Sequence, residues 1–151
     1  MDMYNELGLI YSEALTEVIA KVAGVRLQVV SQEDDDKFEE ITGVMCLNGK
    51  KSGVLFISAN ETDMRVLCSY FTGLSLAEVT TGDTEDTICE FANMTAGNAK
   101  LNLSGTDFIF NLAPPFALKG KNMSLISKSK THVISRTLSD GVVSVKLKLL
   151  Y

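Results

Sequence analysis

Proline is scarce in this sequence, with only two among 151 residues, and the two are adjacent. Low-complexity segments and long linkers are missing as well, while 46% of the residues are hydrophobic. Disordered chains are poor in hydrophobic residues, so this composition predicts a folded protein. The length suits one ordinary domain that can bury a core, and we predict a single domain over residues 1–151.

Long hydrophobic runs and a basic N-terminal region are also absent. No stretch approaches the ~20 apolar residues that a membrane-spanning helix requires. Asp2 and Glu6 stand where a secretory signal would be basic. The formal net charge of −5 argues against a nucleic-acid-binding protein, which usually carries a basic stripe. We therefore expect neither a nucleic-acid partner nor a membrane.

Cysteine and histidine are too few for a disulfide framework or a metal centre. Cys46, Cys68 and Cys89 form no C-x-x-C pair and lie in apolar runs. We expect buried thiols and a cytoplasmic, reducing location. His132 is the only histidine, and we expect it to be structural and partly buried. Because no acidic cluster has metal-ligand spacing, we expect no cofactor bound by this chain itself.

Charge is unevenly distributed along the chain. Acidic residues crowd residues 33–40, whereas residues 119–148 are mostly basic. We expect two solvent-exposed surfaces, with an electrostatic patch for a partner as the alternative.

Hydrophobic periodicity and turn residues predict three helices and six strands. The helices are predicted over residues 3–22, 60–72 and 83–103, and the strands over 26–30, 41–47, 54–59, 108–112, 132–138 and 142–150. Asn48-Gly49 and Ser139-Asp140-Gly141 predict hairpin turns. Pro114-Pro115 is expected to end strand pairing, and the polar residues 119–130 receive no element. Alternation in the last strand predicts one buried and one solvent-exposed face. These elements predict an α+β fold with an antiparallel sheet covered by helices on one face.

The third helix has a polar side that needs explanation. On a helical wheel, Glu90, Asn93, Gly97 and Lys100 lie within about 40° of Asp86. The opposite side is apolar and is expected to be core, with Ile88, Ala92, Thr95, Ala99 and Leu103. Acids and amides on an exposed face are often there for solubility, and an acid in the first turn, as predicted for Asp86, favours the helix dipole. Gly97 costs a helix interior nearly 1 kcal/mol relative to alanine, which suggests a flat spot that another backbone approaches.

The sequence from Asp86 to Asn93, Asp-Thr-Ile-Cys-Glu-Phe-Ala-Asn, resembles the motif of the CheC, CheX and FliY chemotaxis phosphatases. That motif has Asp or Ser, then Glu four residues later, then Asn three residues further, and a proline about 20 residues beyond. Pro114 and Pro115 both satisfy the last position. The continuation Ala-Gly-Asn-Ala is especially like CheX. A second copy of the motif, as in CheC, would need Glu and Asn at Thr16 and Ile19 of the first helix. The resemblance is therefore to a CheX-like member with one active helix.

The resemblance implies a function. A CheX-like protein would dephosphorylate the phosphoaspartate of a CheY-like response-regulator receiver, with Asn93 orienting the attacking water and Glu90 pairing with a receiver lysine. Asp86, Gly97 and Pro114 would be supporting motif residues. Mg²⁺ would belong to the receiver's site, and the protein would be a homodimer, for which residues 143–149 offer a candidate strand. The alternatives are a non-catalytic module of the same fold that docks a receiver or another signalling protein, and a small-ligand sensor domain.

Overall fold

Three helices and seven strands make up the computed structural model, which describes residues 2–128 and 130–151. The elements in chain order are α1 Met3–Ala23, β1 Gln28–Ser31, β2 Ile41–Gly49, β3 Gly53–Ala59, α2 Glu61–Thr72, α3 Thr81–Leu101, β4 Phe110–Asn111, β5 Phe116–Lys119, β6 Val133–Ser139 and β7 Ser144–Leu150.

The strands form one antiparallel sheet in the order β1-β6-β7-β3-β2-β4, and β5 pairs with β2 on the same side as β4. The helices pack on one face of this sheet. The buried core lies between them, where residues from alternate positions of β2, β3, β6 and β7 meet the apolar sides of α1 and α3. The predicted α+β fold, a single domain with helices over one face, is confirmed.

Local capping explains where the helices begin and end. Asp2 and Asn60 accept hydrogen bonds from the first-turn amides of α1 and α2, and Gly24 and Gly73 end these helices with positive φ. For α3, Thr80 and Asp83 form a capping box, so the helix begins at Thr81, earlier than predicted.

The β2–β3 hairpin exists, but its predicted turn was wrong. Asn48 and Gly49 continue β2 and pair with β4, and the chain turns over residues 50–52 instead. A Cβ on Gly49 would lie 2.3 Å from the carbonyl oxygen of Ile109. The glycine is therefore explained by the close approach of another backbone, which periodicity and turn statistics do not reveal.

Strand pairing stops before Pro114-Pro115, as expected, but it resumes beyond them. The prolines lie in the break over residues 112–115, where their missing N–H groups interrupt no ladder. Pairing with β2 resumes at β5, in a stretch for which the sequence suggested no element. An edge strand tolerates such an interruption, since only one of its sides is paired.

Part of the second face of the sheet is covered by the acidic segment 33–40. For Lys146 and Lys148 this corrects the expectation of a solvent-exposed charged surface. Nζ of Lys146 lies 2.7 Å from Asp35 and 3.2 Å from Glu39. Lys148 is only 1% exposed and donates to the Asp35 carbonyl and to Ser135 Oγ. The bond from Lys146 lowers the pKa of the Asp35 carboxyl, and burial lowers the pKa of Lys148. The face of the last strand that was predicted to be solvent-exposed is thus largely buried.

Residues 143–149 cannot provide the dimer strand we expected from the sequence. β7 lies in the middle of the sheet and is paired on both sides, with β3 and with β6. The free edges are those of β1 and of the interrupted β4 and β5. Any edge-to-edge association would use one of these strands.

Gly43 of β2 allows α3 to lie close against the sheet. A Cβ at this position would be 2.5 Å from the backbone oxygen of Ile88 on α3. Since a helix backbone cannot yield as a flexible side chain does, Gly43→Ala should lower the free energy of unfolding by about 1–3 kcal/mol. Chemical denaturation measures this change. Gly82→Ala, whose added Cβ would have only an ordinary 3.7 Å contact, is the control. Equal stability of the two variants would contradict this account of Gly43.

Candidate functional site

The polar side of α3, formed by Asp86, Glu90, Asn93, Gly97 and Lys100, faces away from the core and is hereafter called the α3 polar face. Asp86 and Glu90 are exposed, and Asn93 and Gly97 are half-buried. The five residues predicted to lie on the opposite side are all buried. The helical wheel therefore placed both sides of this helix correctly.

Glu90 and Asn93 have no hydrogen-bond partner for their side chains among residues 2–128 and 130–151. Neighbouring residues of the same types differ in this respect. Glu85 forms an ion pair with Lys119 of β5, 3.3 Å away, and Asn98 donates to Glu17 of α1 over 3.0 Å. The carboxylate of Glu90 and the carboxamide of Asn93 are thus available to an external partner, and they lie one turn apart.

α3 is fixed against its neighbours on several sides. Asn98 and Glu85 connect it to α1 and to β5. Towards α2, Thr87 donates to Cys68 Sγ over 3.2 Å, and the rings of Phe91 and Phe71 meet edge to face at 5.6 Å. A helix held in this way presents its exposed side chains in a fixed geometry, which a site working by alignment requires.

Gly97 is not needed by the fold of this chain. Nothing lies within 4 Å of the position that a Cβ would take there. A glycine inside a helix is unfavourable, so its presence on an open face points to a requirement from outside the chain.

The electrostatic field on this part of α3 is negative. Burial raises the pKa of the Cys89 thiol, and the charges of Asp86, Glu85 and Glu90 raise it further. Cys89 therefore remains a protonated, weakly reactive thiol. Near Glu90, the same field favours a cationic partner group.

Asp86 does not lie in the first turn of α3, where the sequence placed it. Because α3 begins at Thr81, Asp86 lies in the second turn, and the first-turn acid is Asp83. The helix dipole therefore explains Asp83 better than Asp86. Pro114 lies in the break between β4 and β5 at the sheet edge.

His132 is exposed rather than partly buried, and it stacks on Tyr4 with ring centroids 3.8 Å apart. The three cysteines are free, with Cys68 buried and the other two half-buried. Within the ranges that the structure describes, no group of three or more His, Cys, Asp or Glu residues could hold a metal ion. No helix of those ranges is long and apolar enough to cross a membrane.

Cavities of about 320–520 Å³ occur elsewhere on the molecule, and neither Glu90 nor Asn93 lines any of these five. The α3 polar face is instead an open surface on the outer side of the helix. Such a surface suits docking against a macromolecule better than enclosure of a small substrate.

Sequence reasoning missed the residues that position α3. Gly43, Asn98 and Glu17 carry no local signal of this role, because their partners are distant in sequence. The helix capping motif at Thr80 and Asp83 was visible in the sequence and gives the earlier start of the helix.

Comparisons with known proteins agree with the geometry. The family model described as "Chemotaxis phosphatase CheX" matches residues 41–138. The chain is similar in structure to the chemotaxis protein CheX from Vibrio vulnificus, with 20% identity, a TM-score of 0.82, and coverage of 95% of this chain and 97% of that chain. A CheC-like superfamily protein from Shewanella sp. PV-4 has 21% identity and a TM-score of 0.84, with 99% and 98% covered. A CheX–CheY–BeF3–Mg²⁺ complex from Borrelia burgdorferi has 18% identity and a TM-score of 0.75, with 93% and 94% covered. A search among curated proteins gives no significant match.

Proposed function

This chain belongs to the CheX family of chemotaxis phosphatases, and we propose that it hydrolyses the phosphoaspartate of a CheY-like response-regulator receiver. The observation that carries the proposal is the pair on the α3 polar face. A carboxylate and a carboxamide one turn apart have no partner among the residues that the structure describes, and their helix is fixed on both sides. Measuring phosphate release from a panel of phosphorylated receivers tests it.

We assign to Asn93 the orientation of the attacking water. In phosphoryl transfer the enzyme contributes mainly positioning and electrostatic stabilisation, and the phosphorylated receiver would already supply the charges around the phosphoryl oxygens. A carboxamide both donates to and accepts from a water without titrating, so it can hold that water in line. Its half-buried base on a rigid helix limits the directions in which it can point.

We assign to Glu90 the recognition of a lysine in the receiver's site. Its free, exposed carboxylate is one of the negative charges that raise the pKa of the Cys89 thiol. An ion pair there would set the register of the docked helix. The divalent cation would belong to the receiver, and the related complex from Borrelia burgdorferi contains CheY with BeF3 and Mg²⁺. We propose the cytoplasm as the location, in keeping with three free thiols.

A second candidate is a non-catalytic module that docks a receiver through the same face. Retention of a free amide beside the carboxylate favours the phosphatase, since docking alone does not require a group that orients water. Receiver binding without phosphate release across the panel would support the docking module. The small-ligand sensor has no support from the α3 polar face, which is open.

Gly97→Ala should make the protein more stable and less active. The added methyl meets nothing within 4 Å in this chain, so the helix gains up to about 1 kcal/mol. If the receiver backbone approaches this flat spot, the methyl displaces Asn93 from the phosphoryl group, and turnover should fall roughly tenfold or more. A denaturation curve and a phosphate-release assay measure the two effects.

Gly82→Ala is the matched control for that prediction. It makes the same substitution in the same helix, about 22 Å away along the axis, and its Cβ would also have room. It should keep full activity. Full activity of Gly97→Ala would show that the receiver does not approach this glycine.

We also propose a homodimer, as the family resemblance implies. Since β7 is internal, the free edge of β1 is the better candidate for the dimer contact. Val29 and Val30 of this strand are exposed. Light scattering should give twice the 16.4 kDa mass of the chain at micromolar concentration. Val30→Lys should reduce association, whereas Phe116→Lys on the opposite edge should not. A 16.4 kDa species would contradict the dimer.

A further inference from the structure

A cavity between α1, β1 and β6 shares no residue with the α3 polar face. Its volume is about 320 Å³, and it is lined by Asn5, Leu9, Ser12, Val29, Gln32 and Arg136. Leu9 and Val29 make part of this lining apolar, and the other residues are polar. Two of the polar side chains are almost completely buried. Neither the phosphatase reaction nor the fold explains those two.

Arg136 is the first of them. It is only 8% exposed and points from β6 towards α1. One N–H donates to the Ser135 carbonyl over 2.8 Å, and within residues 2–128 and 130–151 no carboxylate forms an ion pair with it. A guanidinium has five N–H donors and stays charged at any physiological pH. A buried cation without an anionic partner is costly, so this site is electrostatically incomplete.

Ser12 is the second. It is 3% exposed, and its hydroxyl has no hydrogen-bond partner in the described part of the chain. Buried hydroxyls in folded proteins are normally paired. Ser12 lies one turn after Gly8 on α1, and a Cβ on Gly8 would be 2.7 Å from Nη2 of Arg136. The helix therefore accepts an unfavourable glycine where the guanidinium passes.

We propose that this cavity binds a small organic monocarboxylate. The carboxylate would accept hydrogen bonds from Arg136 and from the Ser12 hydroxyl, and guanidinium and carboxylate match in bidentate geometry. The hydrocarbon part would contact Leu9 and Val29, which are 48% and 39% exposed. Asn5 and Gln32 supply further amide groups.

A single negative charge is favoured over a multiply charged anion. Arg136 also borders an adjoining cavity of about 380 Å³, and Asp2 and Asp34 are among the residues that line it. These acids oppose additional negative charge near the guanidinium. Inorganic phosphate should therefore bind more weakly than a carboxylate with a short hydrocarbon chain.

Titration of the 151-residue protein with butyrate, followed by amide chemical shifts and by the melting temperature, tests the proposal. Butyrate should bind saturably with a Kd on the order of 1 mM or tighter and shift amides of α1 and β6. Butanamide, which has the same shape without the charge, should not bind, and phosphate should bind more weakly. Absence of saturable butyrate binding, or equal binding of butanamide, would overturn the proposal. Phosphate binding tighter than that of butyrate would overturn it too.

Three variants locate the binding. Arg136→Met should raise the melting temperature of the ligand-free protein, because an unpaired buried cation becomes an apolar group of similar length, and it should abolish the butyrate response. Ser12→Ala loses only the unpaired hydroxyl, so it should fold normally and bind butyrate several-fold more weakly. Lys21→Gln, which removes one exposed positive charge from α1, should bind as the wild type does. Butyrate binding of unchanged affinity in Arg136→Met or Ser12→Ala would refute this site.

Discussion

Asn93→Ala should reduce phosphate release from a phosphorylated receiver by about 100-fold or more, while receiver binding and the melting temperature stay near their wild-type values. A site that works by alignment loses on the order of 10²-fold in rate when one positioned group is removed. Stability should change by no more than about 0.5 kcal/mol, because the Asn93 carboxamide lies on the α3 polar face, outside the buried core of the chain. Single-turnover phosphate release at saturating protein separates the rate from the affinity.

Asn98→Ala is the matched control for Asn93→Ala. Asn98 is the same residue type on the same helix, but its side chain is already used in the bond to Glu17 of α1. Its loss should lower stability by about 1 kcal/mol. Turnover should stay near the wild-type value, because the contacts of Glu85, Thr87 and Phe91 still hold α3 in place. The two variants should therefore show opposite patterns, one losing rate and the other stability.

The assignment of α3 as the catalytic element depends on this contrast. If Asn93→Ala retains full turnover with an unchanged melting temperature, the element is wrongly assigned. If turnover and stability fall together, Asn93 supports the structure of α3 and does not orient the attacking water.

The local pattern of the sequence was sufficient to predict the helices and the polar residues that α3 exposes. The spacing Asp86, Glu90, Asn93 and Gly97 puts these residues on one face, because helical periodicity depends only on neighbours along the chain. The resemblance to CheX then identified the family, which the match over residues 41–138 shows. The roles of Glu90 and Asn93 remain predictions.

Contacts between distant segments could not be predicted in this way. Asn48-Gly49 has the composition of a hairpin turn, yet Gly49 is required where the Ile109 carbonyl approaches. The alternating lysines of β7 have the pattern of a wet face, yet Lys148 is covered by a segment more than a hundred residues earlier. In both cases the local pattern is present in the sequence, but a residue distant in sequence determines its structural role.

The same limit applies to Arg136 and Gly8. Neither has a local signal in the sequence, since one is a single cation in a strand and the other a single glycine in a helix. Only their juxtaposition, with the guanidinium 2.7 Å from where a Cβ would be, shows that one residue accommodates the other.

Glu90→Gln should weaken receiver binding by about tenfold to a hundredfold and make the remaining affinity less dependent on salt. The substitution keeps the shape of the side chain but replaces an ion pair with a neutral contact, and hydrogen bonds to charged groups contribute about 1.5–3 kcal/mol. Screening by salt acts on the charged pair and not on its neutral replacement, so Kd values at low and high ionic strength should converge in the variant. Stability should stay within about 0.5 kcal/mol, as expected for an exposed position.

Asp86→Asn tests whether the effect of Glu90→Gln comes from one ion pair or from the negative field of the whole helix. Asp86 is exposed, lies one turn before Glu90 on the same face, and loses the same single charge. A specific pair between Glu90 and a receiver lysine predicts a small effect for Asp86→Asn and a large one for Glu90→Gln. Equal losses of affinity and of salt dependence in both variants would mean that the field attracts the receiver without a defined contact. The register of Asn93 over the phosphoryl group would then have to be set by some other residue of the α3 polar face.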